Sequence, residues 1–118
     1  MKISTTNSFL ALNYGQEKAL DMIASAGFDC VDMYFGYMAK DNENEFFLPD
    51  APQRCRDLRK QAEDKGIFFN QAHAPFPPYL PSVPELYDYA VEMYVNMMPF
   101  CQEVGIKNLV LHGISWNQ

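Results

Sequence analysis

The sequence predicts an α/β fold in which four parallel strands alternate with helices in the order βαβαβαβ. Three observations carry this expectation. Gly27, Gly66 and Gly105 recur 39 residues apart. Each closes a stretch of helical periodicity. Each is followed by an apolar residue (Phe28, Ile67, Ile106) that opens a short strand-like run. A glycine just past a helix supplies the left-handed turn that lets the chain leave it. Strands separated by helices pair in parallel, and right-handed crossovers place the helices outside the sheet. No Ser/Gly linker or low-complexity tract interrupts the pattern, so residues 1–118 read as one domain.

The elements follow in order. The first strand is expected over Ile3–Asn7. Asn13, three residues before Gln16, is the candidate cap of the first helix. The second strand is expected over Cys30–Phe35. After it, Gly36–Leu48 holds the polar run Lys40 to Glu45 and reads as a solvated loop. Asp50 and Gln53 stand at capping-box spacing, with Pro52 in the first turn, where a missing N–H costs nothing. The third strand is expected over Ile67–His73. Pro75–Pro81 carries four prolines and reads as a stiff loop on a pocket rim. Ser82 and Glu85 repeat the capping box. Tyr87, Ala90, Tyr94, Met97, Cys101 and Val104 form one apolar helical stripe, which reads as core. Pro99 should kink or split that helix, since it removes a donor and crowds the preceding turn. The fourth strand is expected over Asn108–His112.

Composition narrows the function. A net charge of −6 argues against general binding to a phosphate backbone. The arginines Arg54, Arg56 and Arg59 share one helix and read as a solvated face. Cys30, Cys55 and Cys101 show no metal or disulfide spacing and read as buried free thiols. No apolar leader follows Lys2, and no run reaches the ~18 apolar residues of a membrane span, so the expected location is cytoplasmic. No phosphate-binding glycine motif is present, so no nucleotide cofactor is expected.

The two histidines of the chain, His73 and His112, each lie seven residues beyond a repeat glycine. Tyr34 is their counterpart after Gly27, and Asp32 lies two residues before it. Both histidines should therefore end neighbouring strands at the C-terminal rim of the sheet, where βα loops gather. Alternation along the third strand would put Phe69, Gln71 and His73 on one face. Asn108, Val110 and His112 would share a face of the fourth. Imidazoles so placed can bind a metal, a substrate oxygen or a proton.

At Ala26-Gly27-Phe28-Asp29-Cys30-Val31-Asp32-Met33, His73-Ala74-Pro75 and Glu103 to Gly113 the sequence resembles the xylose isomerase-like TIM-barrel superfamily. This superfamily includes sugar phosphate isomerases and epimerases and endonuclease IV. The resemblance runs over essentially the whole chain. It implies the N-terminal half of a (β/α)₈ barrel, a partial TIM barrel with strands 1–4. It also implies a divalent-metal enzyme (Mn, Mg, Zn or Co) moving a proton next to a carbonyl of a sugar, sugar phosphate or cyclitol. In the isomerase branch the early histidines line the substrate pocket. In the endonuclease branch they bind zinc. The implied substrate-binding residues are His73, His112, Asn7, Tyr34, Asp32 and Trp116, with His73 and His112 also the candidate metal ligands. Asp32 stands where the family usually has Glu, one methylene longer. The paired carboxylates of the reaction would come from outside these residues. A half-barrel exposes strand edges and apolar side chains, so pairing with a second copy or with a missing C-terminal half is expected. The rival readings are a zinc phosphodiesterase for DNA repair and a non-catalytic association module.

Overall fold

The structure, a computed structural model, describes residues 1–36, 45–75 and 84–112, with side chains from 88 onward in the last stretch. The strands are β1 (Ser4–Thr6), β2 (Cys30–Tyr34), β3 (Phe68–His73) and β4 (Leu109–Val110). The helices are α1 (Ser8–Tyr14), α2 (Gln16–Ser25), α3 (Ala51–Asp64) and α4 (Pro84–Val104), and a 3₁₀ turn spans Glu45–Phe47. The four strands form one sheet in the order β1-β2-β3-β4, and every neighbouring pair is parallel. This is the predicted α/β order, with an extra short helix after β1.

The 39-residue repeat is a repeat of helix exits. Gly27, Gly66 and Gly105 all have positive φ, at 85°, 74° and 87°. Beyond each, an amide bonds back to the last helical turn. Phe28 donates to the Ile23 carbonyl (3.4 Å), Ile67 to Ala62 (3.0 Å) and Ile106 to Cys101 (2.8 Å). These six-to-one bonds close the Schellman turn and satisfy carbonyls that a helix end leaves orphaned. Each exit aims the chain into the next strand. Ile23, Ala62, Cys101, Ile67 and Ile106 are buried in the core, and Phe28 packs against it.

The core lies between the sheet and its helices. Val31, Met33, Phe69 and Ala72 from the strands meet Leu20, Ile23, Cys55, Leu58, Ala62, Ala90, Met97 and Val104 from the helices. Burial pushes the Cys55 thiol up to about 12 and the Cys101 thiol to about 11. All three cysteines are free and buried, as expected from their spacing.

Local expectations are corrected in three places, and of the kink or split expected at Pro99 the split does not occur. Asn13 caps nothing: its amide donates back to the Phe9 carbonyl (2.7 Å) inside α1, and Gly15 (φ 83°) separates α1 from α2. Asp50 precedes α3 without a side-chain cap bond, its own backbone being already near-helical (φ −89°, ψ −2°), and the Gln53 side chain is engaged with Asp57 (2.8 Å) and Arg56 (2.8 Å) instead of reaching back. α4 runs through Pro99 as one helix. Phe69 does not share a face with Gln71. A register shift lets Val31 pair with Phe69 and Asp32 with Gln71, so Asn70 is the extra residue of a bulge. Phe69 thereby turns into the core, and Gln71 and His73 face the other way. The Ser82 cap, the side chain of Tyr87 and most of the two irregular loops lie outside the described residues.

Candidate functional site

The C-terminal ends of β2, β3 and β4 bring the expected polar residues together. Asp32 pairs with Gln71 across the sheet, and Tyr34 pairs with His73. The Nδ1 of His73 lies 2.9 Å from Oδ1 of Asp32. The amide of Gln71 donates to the other oxygen, Oδ2, at 2.8 Å. Asp32 is thus held between two side chains of the neighbouring strand. Its side chain is 13% exposed and that of His73 is 30% exposed, so both are partly open to solvent.

His112 joins His73 by stacking. The ring centroids are 5.5 Å apart and the planes are inclined by 23°. The two histidines hold equivalent repeat positions, yet they are not level in the sheet. Val110, two residues before His112, pairs with His73. β4 is therefore staggered against β3, and His112 reaches one strand repeat further along the rim. Tyr94 of α4 donates to the His112 carbonyl (3.4 Å), tying the end of β4 to the helix layer. Burial raises the Tyr94 phenol above its ordinary value.

Asn7 and Tyr34 form a second, fully internal layer. Asn7 is completely buried. Its Oδ1 accepts from the Tyr34 amide (2.7 Å), and its Nδ2 donates to Oε1 of Gln16 (2.6 Å). Gln16 in turn donates to the Tyr34 carbonyl (3.2 Å). The two side chains continue, past the end of β1, the pairing that β1 makes with β2. They satisfy buried backbone groups that would otherwise be orphaned. Asn7 therefore acts on the rim by holding the backbone of Tyr34. Trp116 lies outside the described residues.

The sequence put Gln71 on the face of His73 and Gln16 beside a candidate cap, but assigned neither to the site. Gln71 shares the parity of His73, which was the available signal. Gln16 had none, since a glutamine at a helix start is usually a solvated one. The arginines of α3 are all engaged in ion pairs: Arg54 with Glu45, Arg56 with Glu103 (3.1 Å) and Arg59 with Glu63 (2.9 Å).

A metal at this rim has a partial donor set. His73, oriented through Nδ1 by a carboxylate, has the arrangement that presents the opposite ring nitrogen to a cation. Among the described residues, no three His, Cys, Asp or Glu side chains converge as a complete cation site. Any ion bound here would take further ligands from elsewhere. No helix among the described residues is long and apolar enough to cross a membrane.

An all-parallel sheet with helices packed on it is an α/β arrangement of the kind that TIM barrels repeat, and in such barrels the C-terminal rim, where the polar side chains gather here, carries the active site. Residues 20–118 match the family described as xylose isomerase-like TIM barrel, and the chain belongs to that family. Among solved structures it is similar to a sugar phosphate isomerase/epimerase from Parabacteroides distasonis, with a TM-score of 0.58 and 19% sequence identity. The match covers 95% of this chain and 39% of that one, so the chain spans well under half the length of its structural relative. No curated protein matches the chain.

Proposed function

We propose that this chain supplies the substrate-binding rim of a sugar phosphate isomerase or epimerase. The observation that carries the reading is the Asp32–His73–His112 cluster at the C-terminal ends of three adjacent parallel strands. Membership of the xylose isomerase-like family supports it. The resemblance to a solved sugar phosphate isomerase/epimerase supports the fold on which it stands.

In this reading His73 and His112 hold substrate hydroxyls or contribute to a divalent-cation site. Asp32 acts behind His73. Asn7 fixes the backbone of Tyr34, which walls the pocket, and Trp116 packs against a sugar face. A bound Mn, Mg, Zn or Co ion would polarise the substrate's oxygens while a proton moves at the neighbouring carbon. The carboxylates that move that proton belong to strands beyond these four, and the four-stranded sheet pairs with a second half-barrel to complete the rim. No nucleotide takes part.

Deuterium exchange tests the reading. The protein, assembled with the half-barrel that supplies the carboxylates, is incubated in heavy water with manganese and a panel of ketose and aldose phosphates. The expected result is deuterium entering at the carbon next to the carbonyl, with a loss of at least tenfold in His73→Ala. No exchange with any member of the panel would contradict it. Zinc retained through dialysis and lost on His73→Ala would instead favour the phosphodiesterase reading.

A further inference from the structure

We infer that Asp32 is a positioning residue that sets the tautomer of His73, so that Nδ1 carries the proton and Nε2 offers the lone pair to whatever binds at the rim. This deepens the proposed function and relies on it only for the identity of the ligand.

The tautomer of a neutral imidazole is decided by the hydrogen bond its other nitrogen makes. Here that bond runs from Nδ1 to Oδ1 of Asp32 at 2.9 Å. An ionised carboxylate has only acceptors to offer, so the proton must come from the ring. The second oxygen, Oδ2, is taken up by the Gln71 amide at 2.8 Å, which stops the carboxylate from turning away. Both anchors come from β3, and the sheet pairs Asp32 with Gln71 and Tyr34 with His73. The strand pairing therefore holds the carboxylate at a distance suited to Nδ1. His112 stacks on His73 at 5.5 Å and limits its rotation. Two contacts thus constrain the ring, and a third fixes the carboxylate behind it.

This arrangement gives the short side chain its sense. Aspartate spans the gap between adjacent strands and stops at Nδ1. A glutamate there would add a methylene and push its carboxylate past the imidazole toward the mouth, as a ligand in its own right. The same position can thus contact substrate directly or act through the neighbouring histidine, and in this chain it acts through His73.

Imidazole nitrogen NMR reads the tautomer without any turnover. The chain has two histidines, so long-range proton–nitrogen spectra show two ring systems, and His112→Ala assigns them. Spectra are taken at about pH 8.5, above the ordinary imidazole range. In the native protein, Nδ1 of His73 is expected at a protonated-nitrogen shift and Nε2 at a lone-pair shift. In Asp32→Asn the pattern should reverse or average, because the amide can turn its own N–H toward Nδ1. Asp32→Glu should show partial averaging. A native His73 with its proton on Nε2 overturns the inference, and that reading needs only His112→Ala to fold for the assignment. An unchanged pattern in folded Asp32→Asn overturns it as well. If the tautomer is as stated but no sugar phosphate exchanges deuterium, the functional reading fails and the positioning role stands. If turnover is found, Asp32→Asn should lower kcat about 10- to 100-fold with KM little changed.

Discussion

At the scale of single residues, Asn7 gives the clearest case of a side chain whose place could be foreseen but whose role could not. Its position at the end of the first strand marks it as a rim residue. Its complete burial, and its bonds to Tyr34 and Gln16, make it a support for the backbone behind the rim. Asn7→Ala removes one partner each from the Tyr34 amide and from Gln16. Leaving such buried groups unsatisfied costs about 1–3 kcal/mol each. Urea unfolding should show a loss of about 2–6 kcal/mol, the sum of the two. A change within error would mean that water replaces the amide. Gly66 makes a different prediction. A Cβ there meets nothing within 4 Å, so only its φ of 74° resists substitution. Gly66→Ala should cost about 1–2 kcal/mol through backbone strain alone. A neutral result would show that the helix exit relaxes without it.

At the scale of elements, the repeat glycines were legible because a left-handed turn has one preferred residue. Strand order followed from them, and the positive φ at all three positions bears that out. The helix caps were less legible. Gln53 had two possible sets of partners, and Asp57 with Arg56 won over the Asp50 backbone. The bulge at Asn70 was not legible at all, since strict alternation carries no sign of an inserted residue. It alone decides that Phe69 faces the core and Gln71 faces Asp32. The α3–α4 layer carries a pH prediction. Burial holds the thiols of Cys55 and Cys101 above their ordinary value of 9.0, at about 12 and about 11. The folded state therefore binds these protons more tightly than the unfolded chain. Their contribution is fully present below the unfolded value and is lost as the pH rises from about 9 toward 12. Stability measured by denaturant midpoint should fall across that window. Cys55→Ala and Cys101→Ala together should flatten the slope, and an unchanged slope would assign the loss to other groups.

At the scale of the whole molecule, several large apolar side chains lie exposed among the described residues. Val91, Val95 and Met98 lie exposed on α4 at spacings of four and three residues. Phe9 and Leu12 are exposed on α1, and Leu111 follows the end of β4. Surfaces of this kind mark contact sites. We expect the 118-residue chain to associate, with sedimentation coefficients that rise with concentration. A single monomeric species over a hundredfold range of concentration would contradict this. The site's overall location was legible for the same reason as the fold. Two histidines equally placed in a βα repeat must reach the same rim of a parallel sheet. Their mutual stacking and the stagger of β4 depend on strand register, which the sequence pattern leaves open.

The imidazoles of His73 and His112 bear the weight of this account, and their proximity can be measured in solution. Four ring C–H protons belong to these two residues, and each set is identified by one substitution. A nuclear Overhauser spectrum should show cross-peaks between the two rings, as a 5.5 Å stack requires. Rings that show no such cross-peaks in the folded protein would place the histidines apart and remove the site.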